Sequence, residues 1–242
     1  EGWRSTKIRG DYTYRYPDRK IEFREMKSEI AGGGVSGDIF VENIPGKPRV
    51  VLDLDYAGID AAALARAYPW DKKYRIFSKM TGTLNGWFEG KIARYDFAGH
   101  ADFQSYMPPD ATDLVPLPLD GSTDYEARPR EANVANADVR LYSTAVKADG
   151  LIHETMSGLR VSMSSSNLTD AAFLYSDANG AGTFEGTLTG RIARPVLDGD
   201  FTLRNHAYRN WTIQQAAGGV RLDTHSESAV LRSVRVTQGE SA

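Results

Sequence analysis

Four histidines, His100, His153, His206 and His225, are the only imidazoles in this 242-residue chain. No two of them stand at the i, i+4 spacing, or in a shared motif, that would hold a metal ion. Asp53 and Asp55 fall on one face of a strand and could hold a divalent cation together with Asp60. The simpler reading is that they form the wetted side of an alternating strand. Gly34-Val35-Ser36-Gly37 misses the Gly-x-Ser-x-Gly nucleophile elbow, and Ser164-Ser165-Ser166 has no lysine three residues on. The glycine-rich stretches lack a following helix and a Lys-Ser or Lys-Thr pair, so they do not read as phosphate cradles. No pair of carboxylates is singled out for glycoside cleavage, whose spacing is set in three dimensions. The expectation is a protein that is not an enzyme, with no catalytic residue, metal or cofactor.

Composition narrows the class further. Twenty-nine basic residues stand against 32 acidic ones, with a pI near 5.9, which lacks the basic surplus that nucleic-acid backbones require. The absence of cysteine excludes disulfides and thiolate metal sites. No apolar run reaches 18 residues, and Glu1-Gly2-Trp3 does not open a signal peptide. The chain is expected to be a piece of a longer protein, whose anchor would lie outside it.

Apolar residues alternate with polar ones along almost the whole length, the period of half-buried strands. Tyr12, Tyr14 and Tyr16 are followed, across a Tyr-Pro-Asp turn, by Ile21 and Phe23; then come Ile39 and Val41, and then Leu52, Leu54 and Tyr56 opposite Val51, Asp53 and Asp55. The pattern returns at Leu159, Val161 and Met163, at Phe173 and Tyr175, at Val220 and Leu222, and at Val234 and Val236. One stretch reads as a helix near 60–68: Asp60 as N-cap, Ala61 to Ala67 as good formers, and Pro69 as the stop. Pro108, Pro109, Pro116, Pro118 and Gly121 suggest a break. The expected organisation is therefore a first β half over 1–107, a Pro-rich connection over 108–129, and a second β half over 130–242.

The two halves share a repeat. Residues 82–103 and 182–203 align without gaps, and Gly82, Thr83, Gly86, Gly90, Ile92, Ala93, Arg94 and Gly99 recur as Gly182, Thr183, Gly186, Gly190, Ile192, Ala193, Arg194 and Gly199. A degenerate third copy is suggested at Gly33-Gly34-Val35-Ser36-Gly37-Asp38. Parity puts Leu84, Gly86, Phe88, Gly90 and Ile92 on one face of the first copy, and Phe184, Gly186, Leu188, Gly190 and Ile192 on one face of the second. Glycine inside a strand marks a bulge, a bend or a close approach; here it would either let a sheet curl or relieve crowding in a closed core.

The run Gly182-Thr183-Phe184-Glu185-Gly186-Thr187-Leu188-Thr189-Gly190, then Pro195-Val196-Leu197-Asp198-Gly199, Leu203-Arg204-Asn205, Tyr208 and Gly218-Gly219-Val220-Arg221-Leu222, resembles the repeat of the TamB and AsmA-like envelope proteins. Leu52-Asp53-Leu54-Asp55, the Asp60 helix and Thr81-Gly82-Thr83-Leu84-Asn85-Gly86 resemble the same family, which the likeness covers over about residues 8–106 and 130–237. Tyr95-Asp96 stands where the family has Pro-Val. The resemblance implies an all-β fold, an elongated antiparallel sheet of stacked repeats curled into an open, apolar trough. It also implies passive carriage of phospholipid acyl chains across the periplasm of a diderm bacterium. The parent chain would be anchored in the inner membrane, with neighbouring repeats and an outer-membrane β-barrel as partners; an older family reading is assembly of outer-membrane proteins.

On this reading the groove lining is Leu84, Phe88, Ile92, Phe97 and Phe103 in one copy and Phe184, Leu188, Ile192, Leu197 and Phe201 in the other. A dozen or more strands about 4.8 Å apart would give a groove of ~60 Å. Burial worth roughly 25 cal/mol per Å² would draw a lipid tail in without gripping it. The rival of another class is a carbohydrate-binding β-sandwich, which needs exposed Trp or Tyr platforms on a flat face. A structural solenoid with a filled interior is a third reading.

Overall fold

The computed structural model describes residues 6–15, 18–65, 74–90, 94–107, 115–171, 179–191, 194–208, 211–223, 225–226 and 228–238. Its elements in chain order are β1 (Thr6–Arg15), β2 (Lys20–Ile30), β3 (Gly33–Glu42), β4 (Arg49–Asp60), α1 (Ala61–Ala65), β5 (Tyr74–Ile76), β6 (Ser78–Glu89), β7 (Arg94–Ser105), β8 (Val115–Leu117) and β9 (Leu119–Arg128). There follow β10 (Glu131–Leu141), β11 (Thr144–His153), β12 (Ser157–Ser165), a 3₁₀ turn (Leu168–Ala171), β13 (Ala181–Arg191), β14 (Arg194–Tyr208), β15 (Trp211–Asp223) and β16 (Ser228–Gln238). All but β5 and β8 belong to one open antiparallel sheet of 14 strands ordered as they occur in the chain; β5 and β8 form a short parallel pair. The protein is all-β, as the alternation predicts.

The chain divides into two compact units, 1–132 and 133–242. The division falls just past the expected connection, and the expected 108–129 break is itself largely strand: β9 pairs along β7 from Phe97 opposite Ala127 to Phe103 opposite Gly121. Prolines 116 and 118 and Gly121 mask a strand whose Thr123, Tyr125 and Ala127 share one face. Residues 108–114 lie outside the described region.

In the first unit the helix stands where the Ala run predicts it. The Asp60 carboxylate accepts the Ala62 and Ala63 N–H groups at 2.9 and 3.1 Å, an N-cap, and α1 ends within the described region at Ala65. Pro69 lies outside that region. The densest burial in this unit gathers around α1: Ile59, Ala61, Ala62, Phe77 and Ser78 are all buried. Asp60 also takes the Tyr106 hydroxyl and the Lys79 ammonium at 2.9 and 3.1 Å. Burial raises its pKa, but these hydrogen bonds, led by Tyr106, leave it below the usual carboxylate range.

Hairpins β2–β3 and β10–β11 are built alike. Each carries a left-handed residue inside its first strand, Glu25 at a register shift and Asn136 at the matching place, whose N–H donates to an aspartate 13 residues on, Asp38 at 2.9 Å or Asp149 at 2.8 Å. Each turns on a left-handed residue, Ala31 or Tyr142. The repeat thus includes a local device that the glycine motif did not mark: a carboxylate satisfying the N–H that a bulge takes out of the ladder.

Candidate functional site: the apolar sheet face

Directly opposed residues of an antiparallel pair project from the same face, so the registers show which side chains are brought together. In the first unit Tyr14, Ile21, Val41, Val50, Phe88 and Tyr95 form one transverse row. Tyr12, Phe23, Ile39, Leu52, Gly86, Phe97 and Ala127 form the next, and Met26, Gly37, Leu54, Leu84, Gly99 and Tyr125 a third. Met80 stands opposite Ile59 on one side and Phe103 on the other. Leu84, Phe88, Phe97 and Phe103 therefore share one face, the first three on adjacent rows and Phe103 beyond the intervening Tyr56–Gly82–Ala101 row.

The second unit repeats the arrangement. Gly150, Leu159, Leu188, Leu197, Leu222 and Ala229 form one row; Ala148, Val161, Gly186, Gly199, Val220 and Leu231 form the next; Val146, Met163, Phe184, Phe201 and Gly218 form a third. Phe184, Leu188, Leu197 and Phe201 are thus neighbours on one face. Ile92 and Ile192 lie outside the described residues.

The hairpins carrying the sequence repeat are in different registers. Glu89 faces Arg94 across a four-residue turn, whereas Arg191 faces Arg194 across two residues. The ungapped identities therefore slide by two residues relative to the partner strand: Gly86 faces Phe97, but Gly186 faces Gly199. A slip of two keeps every side chain on its face.

The inner-face glycines seat aromatic rings and closely approaching backbone. A Cβ at Gly99 would stand 2.0 Å from the Thr83 carbonyl oxygen and 2.8 Å from the Tyr125 hydroxyl. The Tyr125 hydroxyl lies across that glycine and donates to the same carbonyl at 3.1 Å. Tyr56 crosses Gly82 in the same manner and donates to the His100 carbonyl at 2.9 Å. Burial raises the pKa of both phenols, so each stays a neutral donor.

Burial along the face is graded. In the first unit the fully buried members, Ser28, Ile59 and Ala101, stand toward the end carrying α1, and the rows from Met26 to Tyr95 are half-buried or more exposed. In the second unit the 3₁₀ turn takes the place of α1. Leu168 comes to 3.3 Å of the point where a Gly182 Cβ would sit, and Asp170 accepts the Ser143 N–H at 2.7 Å, tying the turn to the preceding hairpin. Thr144, Ser165, Gly182, Phe184 and Ala216 are buried beside it, while Leu188, Leu197 and Phe201 are half-buried; Leu159 and Ser157 are buried farther along.

The opposite face is polar. Asp198 pairs with Arg221 at 3.1 Å and with Arg232, which together hold its pKa down. On the first unit's polar face His100 Nδ1 lies 2.7 Å from Asp124 and Nε2 lies 3.3 Å from Asp102, and these contacts raise the imidazole pKa, Asp124 most. A 580 Å³ cavity there is lined by His100, Asp102, Asp55, Lys27, Thr83 and neighbours; none of the ten predicted lining residues borders it. Asp53 faces Asn85 and Asp55 faces Thr83, while Asp60 is committed to α1, and no metal-holding cluster occurs among the described residues. Trp87 and Phe40, also on this face, are not free stacking platforms. Arg49 lies 4.3 Å over Trp87, and Lys20 and Arg24 lie 4.5 and 4.7 Å over Phe40.

No family model, curated protein or solved structure matches the chain. No helix among the described residues is long and apolar enough to cross a membrane.

Proposed function

We propose that this chain is a non-enzymatic, periplasmic segment of a TamB/AsmA-like protein. Its apolar sheet face is the wall of an open trough that carries phospholipid acyl chains between the inner and outer membranes. The observation that carries this reading is the register: apolar side chains and glycines, with no charged residue among them, stand in transverse rows on one face, and most of their members remain half-buried or exposed. A monomeric soluble protein rarely leaves a contiguous apolar surface of this kind without a binding purpose. The parent chain would be anchored in the inner membrane and would meet an outer-membrane barrel. A carbohydrate reading would rest on Tyr12 and Tyr14, exposed on the apolar face, because Trp87 and Phe40 are covered by cations.

The test is native mass spectrometry and lipid extraction on the purified chain, followed by uptake from phospholipid vesicles. The proposal expects acyl lipid to co-purify and to exchange with vesicles. Protein that carries none and takes none up would overturn it.

A further inference from the structure

The two ends of the first unit's strands differ in charge. At the end away from α1 lie the β1–β2, β3–β4, β6–β7 and β9–β10 connections. The described residues there, 15, 18–20, 42–49, 89–90, 94 and 128–131, hold eight basic against four acidic ones. The described residues of the connections at the α1 end, 30–33, 57–65, 74–80, 103–107 and 115–121, balance at two against two. Part of the excess is ion-paired, as with Lys20 and Glu42 at 3.7 Å and Arg128 and Asp96 at 3.2 Å. Arg19 and Lys47 sit exposed in their turns and make no ion pair among the described residues. The described residues of the corresponding connections of the second unit, 153–157, 190–191, 194–195, 223, 225–226 and 228, balance at two against two, so among the described residues the basic excess is on the first unit.

This charge lies at the open end of a graded apolar face whose other end is filled by Ile59, Ala62 and Phe77. From Val50 at the rim to Tyr56 near the filled end, the strand advances roughly 20 Å at about 3.4 Å per residue. That is close to the ~15 Å depth of one leaflet's tails. A ligand that fits has an apolar tail of about that length and a negative head.

Resting on the transport reading above, we infer that the first unit holds a phospholipid with a net negative headgroup. Its phosphate lies at the Arg19–Lys47 rim and its tails point toward α1. The preference is electrostatic and therefore salt-sensitive, and each rim cation contributes measurably to attraction for an anionic lipid.

The test uses the whole chain and two lipids with the same acyl chains, phosphatidylglycerol and phosphatidylcholine, offered in vesicles, with uptake read by native mass spectrometry. The expected result is a preference for phosphatidylglycerol on the order of tenfold at low salt. The double substitution Arg19→Glu, Lys47→Glu, in two exposed turns, should abolish the preference while phosphatidylcholine uptake persists. Equal uptake of both lipids by the unaltered chain, or a preference the double variant retains, overturns the headgroup inference and leaves the transport reading standing. Uptake of neither lipid overturns both.

Discussion

Phe184 and Leu188 lie on the same face of β13, four residues apart, yet the structure predicts very different penalties for placing arginine at each. Phe184 is only 8% exposed, with Met163 and Phe201 directly opposite on either side. Truncating such a ring costs about 3–5 kcal/mol, and a guanidinium there has no acidic partner on its row, which adds to the cost. Leu188 is half-buried between Leu159 and Leu197. Full burial of leucine is worth roughly 1.5–3 kcal/mol, so losing part of it costs about 1–1.5 kcal/mol, and an arginine stem can cover its neighbours while its head reaches water. For a unit of this size about 4 °C of melting temperature is lost per kcal/mol. Leu188→Arg should therefore melt roughly 5 °C lower, still cooperatively. Phe184→Arg should lose on the order of 15 °C or fail to fold. Circular-dichroism melts give the comparison, and Leu188→Arg, which obstructs the second unit's face, should lower vesicle uptake while leaving the first unit's share. Equal and severe destabilisation at both positions would mean the leucine row is a closed core and would refute the open face.

Two further outcomes follow from the geometry. Gly186 and Gly199 face one another, and a Cβ on Gly199 would lie 2.3 Å from the Glu185 carbonyl oxygen and 2.6 Å from the Gly186 Cα. Gly199→Val should cost about 3 kcal/mol by urea denaturation, and a midpoint unchanged from the parent would mean the strands do not approach this closely. Asp124 and Asp102 favour the charged form of His100, with Asp55, Lys27 and Thr83 around the same cavity. Its folded pKa lies above the free value, so the stabilisation is complete below about pH 6.5 and is lost as pH rises through the folded value. His100→Gln should flatten the urea midpoint across that window; a pH dependence identical to the parent's would remove His100 as its source.

The faces were legible in the sequence because their signal is a period of two, and that signal survives any turn. Leu84, Phe88, Phe97 and Phe103 needed no knowledge of partners to be placed together, and the Asp60 helix was legible through its N-cap and alanine run. Strand β9 was not: Pro116, Pro118 and Gly121 read as loop residues, and only pairing to β7 makes Thr123, Tyr125 and Ala127 a strand face. The bulge at Glu25 and its twin at Asn136 were equally hidden. Glutamate does not announce a left-handed conformation, asparagine inside a strand pattern announces it only weakly, and the aspartates that satisfy them lie on the neighbouring strand. The role of the tyrosines was hidden for the same reason, since Tyr125 crosses a glycine one strand away.

The register difference between the two repeat hairpins bears on why glycine recurs in both. A turn shortened from four residues to two moves Gly186 from an aromatic partner to another glycine, yet within the aligned repeat, 82–103 and 182–203, neither hairpin turns a charged side chain inward. An odd change would have carried Thr187 and Thr189 to the apolar side and Leu188 to water, so only even changes preserve the rows. What the repeat maintains is therefore the composition of one face more than any particular contact across it. The ring seated over glycine at Gly86 gives way to paired glycines at Gly186 while the row stays apolar. A closed core, where each cavity is filled by a specific neighbour, would not tolerate that exchange without compensating changes in the opposing layer. A face whose work is to remain apolar and open would tolerate it.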